Sequence, residues 1–492
     1  MLYRLRPFLF WLFVSAFFIT AASVIFYAFG YRFSLDRGIF IYTGSITIKS
    51  TPETVTVSIN GETVPQKRLG LLNQSIHLAG LPPGEHFIEV SAPGYRTWAK
   101  KAVVQSGVST EFWNVLLLRE NYAPDIFSET AGAVKMFASP ENGLYAVMKK
   151  NGENYSLVTF DSDTGKTEEI FSTKEYSFSP DDTENIEWSP ESDKLLVPLT
   201  RDGLRTYFVV EVRTKKAMAL EELIRFNAPR TGTIRVARWD PANRNTLFFL
   251  EGTTLYRVNT EEALPAPTLV REKVETYDLS ARNIYYISSD SGTVYRLPSS
   301  GRGDSPVQIA SSAVPVSLET RVPYTLVIYD EDRYTIIDHT KGSLSVFNRD
   351  TDGNPLKLLS TGIVGSQFSD DGKKLLYWSD NDISAYFLAD WEVQPLREAD
   401  TVIQIARFSS PIRNVQWSED YEHIVFTLHG NIKLIELDNR DRRILTDILS
   451  FPEPLLQVLS HFGENRLYVV PQSGSIQSIV FPETPGIFGI RN

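Results

Sequence analysis

Enzymatic and metal chemistry require particular side chains at particular spacings. The chain has 492 residues, no Cys and six His. Without Cys there are no disulfides, no thiolate metal site and no thiol nucleophile. The six His, at His77, His86, His339, His423, His429 and His461, are never spaced as His-Glu-x-x-His ligands. They are read as solvated or core histidines, including His423 and His429, which fall in one expected hairpin. No Gly-x-Ser-x-Gly elbow presents a serine nucleophile, and no Gly-x-x-x-x-Gly-Lys loop is there to cradle phosphate. Acidic pairs such as Asp181 with Asp182, or Asp370 with Asp371, carry no acid/base assignment without a shaped environment. Asp161, Asp163 and Gly165, and again Asp350, Asp352 and Gly353, have the composition of a calcium loop. Calcium takes roughly 6 to 8 oxygen ligands, and neither stretch has the full spacing with its closing Glu. Both are read as Asp/Gly turns, with weak Ca2+ binding left open and no other cofactor implied. Arg302, Gly303 and Asp304 spell an adhesive tripeptide, but Gly301 to Pro306 is turn composition and is read as a turn.

The charge balance narrows the partners. A formal charge of −11 is the wrong sign for neutralising phosphates, and no Lys/Arg cluster stands out, so nucleic-acid binding is excluded. The absence of Cys is compatible with a bacterial or archaeal extracytoplasmic protein.

The elements that must position any site begin with Pro7 to Gly30, an uncharged apolar run long enough to cross a bilayer as a helix. A cleaved secretory signal is the alternative, with Arg4 and Arg6 as its basic region and Thr20 to Ser23 as small residues for a peptidase. The run continues apolar through Val24 to Phe29, beyond the roughly 7 to 15 residues of such a core, so it is read as a retained anchor. Trp11 near one end, and Tyr27 and Tyr31 near the other, suit the two membrane interfaces. Arg4 and Arg6 are nearly balanced by Arg32 and Arg37, so charge alone sets no orientation. The short tail favours the N-terminus inside and the bulk outside.

Tyr31 to Tyr42 is read as a short connector. From Gly44 the pattern alternates, with Ile46 and Ile48, then Val55, Val57 and Ile59, at the period two of half-buried strands. Asn60-Gly61 is a tight hairpin turn, Leu81 to Gly84 a second turn, and Ile88, Val90 and Ala92 a further strand ended by Pro93-Gly94. Trp98, Val103, Gly107 and Val115 to Leu118 complete an all-β unit. With Ser50, Thr51, Pro52 and Glu53, the run Leu81-Pro82-Pro83-Gly84-Glu85, and Ala92-Pro93-Gly94-Tyr95, it resembles a PEGA domain. The namesake motif departs at Thr54 and Val55. The resemblance implies a small surface or interaction sandwich in an envelope protein, with no family active-site residues.

After Arg119 a unit repeats: an aromatic or apolar residue, Ser or Asp, often Pro, a polar turn, then a strand. It reads Phe137-Ser139-Pro140, Trp188-Ser189-Pro190, Trp239-Asp240-Pro241, Phe368-Ser369-Asp370 and Trp417-Ser418-Glu419, with fainter copies at Leu279, Tyr324 and Leu459. A period of about 40 to 50 residues suits propeller blades of about four strands each. The motif resembles the WD40-like repeats of TolB-type propellers. Eight units are counted. Seven blades stay open beside eight, because a terminal half-unit could complete the first blade and close the ring. Trp188, Trp239, Phe368 and Trp417 are read as repeat anchors packed between blades rather than as a sugar platform.

The expected architecture is mainly β: a tail and helix over 1–30, a connector over 31–43, a PEGA-like sandwich over 44–118, a linker over 119–126 and a propeller over 127–492. The expected function is a membrane-anchored extracytoplasmic scaffold of the bacterial envelope. Its partner is an envelope protein or a cell-wall polymer, and no enzymatic activity is expected. The alternative is a lyase or glycosidase with its site in the propeller channel. Its mark would be carboxylates converging with a His or Arg, one with a perturbed pKa.

Overall fold

Uncharged, mostly apolar side chains throughout Phe8–Ala28 leave a helix no charged face to direct toward solvent, and the whole of Leu2–Ala28 is helical, α1. In the computed structural model the described residues are 2–34, 38–65, 67–69, 75–141, 143–179, 185–224, 232–300, 305–316, 323–350, 356–472 and 474–482. Asp181 and Asp182, Arg302 to Asp304, and Asp352 with Gly353 lie outside them. The stretch Phe8–Ala28 has a mean hydropathy of 2.3 and is 0% buried against the rest of the protein. Its 21 residues make an apolar rod of about 32 Å at the helical rise, which makes it a candidate membrane span. Trp11 and Tyr27 are exposed on it. Gly30, at φ 87°, ends the helix in the left-handed cap that glycine adopts without strain.

Instead of a plain connector, a β-hairpin follows, formed by β1 (Tyr31–Ser34) and β2 (Ile39–Tyr42). Next come β3 (Gly44–Thr51), β4 (Thr56–Ile59), β5 (Glu62–Thr63), β6 (Lys67–Leu69), β7 (Ser75–Leu81), β8 (Gly84–Ser91), β9 (Trp98–Val104) and β10 (Ser109–Leu116). They form two four-stranded sheets, ordered β10-β3-β7-β6 and β5-β4-β8-β9. Period-two alternation sends Ile46, Ile48, Val57, Ile59, Ile88 and Val90 into one core between the sheets. Asn60 and Gly61 both have positive φ, as their hairpin turn requires.

The rest of the described chain forms eight four-stranded sheets arranged as successive blades. Blades 1 to 7 begin with the strands Ala133–Ala138, Glu187–Trp188, Ile234–Asp240, Val274–Leu279, Tyr324–Ile328, Ile363–Phe368 and Arg413–Trp417. Blade 8 is Leu455–His461, Arg466–Pro471 and Gln477–Val480, completed by Asp125–Ile126 from the other end of the chain. The closing strand therefore lies within the stretch read as a linker. It completes the last blade and not the first, so the count stays at eight among the described residues.

Eight apolar clusters fill the eight blade-to-blade junctions. The second strand of each blade explains how. Leu195 and Val197 face blade 1 while Leu196 faces blade 3; Leu247 and Phe249 face blade 2 while Phe248 and Leu250 face blade 4. A strand buried on both faces needs an unbroken apolar run, which is why Leu247 to Leu250 do not alternate.

Candidate functional site

The repeat motif builds a turn. Ser189 accepts the Lys194 N–H at its side-chain oxygen and donates its own backbone N–H to the Lys194 carbonyl. Ser369 and Lys374 repeat both bonds, and Ser418 N–H donates to the His423 carbonyl. Five beyond Ser189 and Ser369 stands a lysine that reaches the next blade. Lys194 bonds Asn245 and Glu261 of blade 3. Lys374 bonds the Tyr421 carbonyl and Glu422 of blade 7 at 2.5 Å each. Trp188 and Trp417 are buried behind these turns, their indole N–H groups donating to the carbonyls of Phe137 and Gln367 one blade back. Trp239 is buried too, without the indole bond, and Phe368 is partly buried.

Immediately before Trp188, Trp239, Leu279, Phe368 and Trp417 stands a polar residue, and these line the inner wall. Glu187 accepts the Trp239 N–H, Asp278 the Ile328 N–H, Gln367 the Trp417 N–H and Gln416 the Ser460 N–H, each reaching one blade forward. Gln457 closes the circuit from blade 8 to blade 1, pairing with both the N–H and the carbonyl of Met136 at 2.8 and 3.0 Å. Arg238 sits between Glu187 and Asp278, at 3.0 and 3.3 Å. Desolvation disfavours its charge, but the two carboxylates outweigh that and raise its hold on the proton above the ordinary arginine value. This is the convergence of carboxylates with an Arg expected of a channel enzyme, and each group is engaged in tying blades together. Among the described residues no three His, Asp or Glu are placed to hold a metal. Asp161 accepts the N–H groups of Asp163 and Thr164, which makes that stretch a capped turn.

The densest unrepeated polar chemistry lies where the sandwich meets the propeller. Among the described residues the sandwich bonds to blades 6 and 7, and it does so through two of its edge strands, β9 and β10, and through Arg96 just before β9, which donates to the Asp447 carbonyl. Lys100 on β9 is fully buried, 2.5 Å from Glu436, and donates to the Asp438 carbonyl at 2.9 Å. Trp98 Nε1 donates to the other oxygen of Glu436. Gln394 behaves as a substitute strand for β10, accepting the Glu111 N–H and donating to the Ser109 carbonyl, each at 3.0 Å. Arg440 donates to the Glu111 carbonyl, pairs with Asp438 and lies over the Phe112 ring. Edge strands otherwise present unpaired backbone groups to solvent. Beside this contact, His423 meets Asp420 at 2.6 Å. Burial opposes the imidazolium, but Asp420, with Glu436 and Glu422 beyond it, raises the His423 pKa. A cleft of about 290 Å³ opens next to it, lined by Lys49, Thr51, Trp113, Ser418, Glu419 and Asp420. Burial, with Asp420 adding to it, raises the Glu419 carboxyl.

With this geometry in place, comparisons with known proteins can be set beside it. Residues 43–117 match the family model of the PEGA domain. The sandwich is a PEGA domain. No curated protein matches the chain. Among solved structures, the chain is similar to the C-terminal WD40 domain of Sif2, at 12% identity and TM-score 0.47, over 74% of this chain and 99% of that one. It is similar to the Dos1 propeller at 12% identity and TM-score 0.48, over 73% and 95%. Sqt1 of Saccharomyces cerevisiae is similar at 11% identity and TM-score 0.46, over 74% and 99%. The propeller assignment rests on the sheet order and ring closure described above.

The residues at the junction with the PEGA domain were not found from sequence. Lys100 did leave a trace, since it occupies the inward register of β9 between Trp98 and Ala102, where alternation calls for an apolar residue. The inner-wall residues also had a signal, in the polar position that precedes every strong anchor: Glu187, Arg238, Gln367 and Gln416.

Proposed function

We propose that this protein is a membrane-anchored scaffold of the bacterial cell envelope. On this reading α1 crosses the membrane with its N-terminus inside, and the PEGA domain and propeller stand outside. The propeller binds an envelope protein or a cell-wall polymer. The observation that carries the reading is an unburied apolar helix leading through a short hairpin into a PEGA domain that is clamped to the propeller by buried bonds. A free linker would let the propeller swing, whereas this joint presents it in one pose. Loops from eight blades converge on its rims, and such loops on a rigid frame are where recognition concentrates. The inner-wall carboxylates support binding over catalysis, because their lone pairs are occupied by blade-to-blade bonds.

Two measurements test the proposal. Protease treatment of intact cells should digest the propeller, and a propeller that stays fully protected would overturn the outward orientation. Photo-crosslinking in cells from the exposed Leu204 on blade 2, followed by mass spectrometry, should capture an envelope protein or wall polymer. Efficient labelling with neither recovered would overturn the scaffold role.

A further inference from the structure

The hairpin after α1 carries an apolar face out of keeping with an aqueous linker. Tyr31 pairs with Tyr42 and Phe33 with Phe40 across the ladder, so four aromatic rings share one face. Phe33, Phe40 and Tyr42 remain exposed, at 52%, 56% and 40%. The face is continuous with the apolar helix. Phe26, inside α1, stacks on Phe40 with ring centroids 5.8 Å apart and meets Tyr31 at 5.5 Å. For Phe40 to reach Phe26, the hairpin must fold back beside the last turns of the helix rather than extend away from it.

That contact fixes a depth. Phe26 lies two residues before the end of the span at Ala28, or about 3 Å along the axis. If α1 crosses the bilayer, the Phe40 ring is therefore held at the boundary between hydrocarbon and headgroups, where aromatic side chains are favoured. The angle is fixed as well. Arg32 lies over the Tyr27 ring and donates to the carbonyls of Tyr27 and Tyr31, capping the helix end. Thr43 bonds the Gly30 carbonyl through both its N–H and its hydroxyl, and its own carbonyl accepts the Gly107 N–H of the PEGA domain.

We propose that the β1–β2 hairpin is a lipid-binding foot: its aromatic face inserts at the hydrocarbon–headgroup boundary of the bilayer that α1 crosses, and so sets the stand-off and tilt of the PEGA domain and propeller. The inference rests on the membrane reading above, and the test separates the two. The chain has no Cys, so Phe17→Cys, Phe33→Cys, Phe40→Cys and Val402→Cys each give one nitroxide site in the full-length protein, reconstituted in phosphatidylcholine/phosphatidylglycerol vesicles. Collisions with oxygen, which partitions into lipid, and with a water-soluble nickel chelate report depth. The label at position 17 should be deep and the label at 402 on blade 6 aqueous. The labels at 33 and 40 should be shallow but lipid-exposed, with an oxygen-to-nickel ratio several-fold above that at 402. A deep label at 17 with aqueous values at both 33 and 40 would overturn the foot and spare the anchor. Aqueous values at 17, 33 and 40 together would overturn both.

Discussion

At each blade-to-blade junction, strands supply a block of apolar side chains, with polar ties set around it. At the junction between PEGA domain and propeller the buried charges come forward: Lys100, Glu436, Asp438, Gln394 and Arg440 hold two edge strands, beside apolar packing from Ile444 and Leu116. The first kind of joint tolerates imperfection, because burial is roughly additive in area. The second is conditional, because a buried charge that loses its partner costs more than the pair contributed. The difference separates what makes the propeller from what aims it.

The largest effect should come from attacking an apolar joint. Trp417→Ala removes a fully buried side chain between blades 6 and 7 and should cost about 4 kcal/mol, read as a lower midpoint of the single denaturant transition. Breaking the polar joint should uncouple rather than unfold. Lys100→Met leaves Glu436 buried and unpaired, a loss of about 3 kcal/mol, and should split one denaturant transition into two. Adding Glu436→Leu should recover part of the loss, and no recovery would mean that shape rather than charge holds the joint. Gln394→Ala removes two backbone bonds to β10, about 1 kcal/mol each at most, and should speed hydrogen exchange at the Glu111 amide while blade 1 amides stay protected.

The joint also has a pH signature. The folded-state pKa of His423 lies above the ordinary 6.5, since Asp420 overcomes the burial that opposes its charge. Folding therefore binds that proton more tightly, and the contribution is complete below pH 6.5 and lost as pH rises through the folded value. His423→Gln should flatten the fall in melting temperature above neutrality, and an unchanged profile would show that another group sets it. The smallest effect belongs to Lys101 with Glu85, exposed on the same strand pair as the buried Lys100. Lys101→Ala should leave the midpoint unchanged, because a solvated pair adds little.

The blades were legible because each anchor, turn and apolar strand is local and recurs. Trp188 and Trp417 report on the same physics in different units. The fainter unit at Tyr324 was readable only from its strand, since Tyr329 and Asp330 replace the anchor and Ser while keeping the turn bonds to Arg333. The sandwich was legible from alternation and its turns. The joint was not, because Trp98 and Glu436 are 338 positions apart and no periodicity links them. The hairpin at Tyr31 to Tyr42 was missed because the stretch, set off by Gly30, was read as a short connector out of the membrane.

The strand Asp125–Ile126, which completes blade 8, carries a consequence for how the molecule is made. It is the first part of the ring to be synthesised, yet its partner Gln477–Val480 is among the last. Throughout translation the ring stays open, with the early strand waiting beside the finished PEGA domain. A chain without blade 8 cannot shut the circle, so closure requires all eight blades.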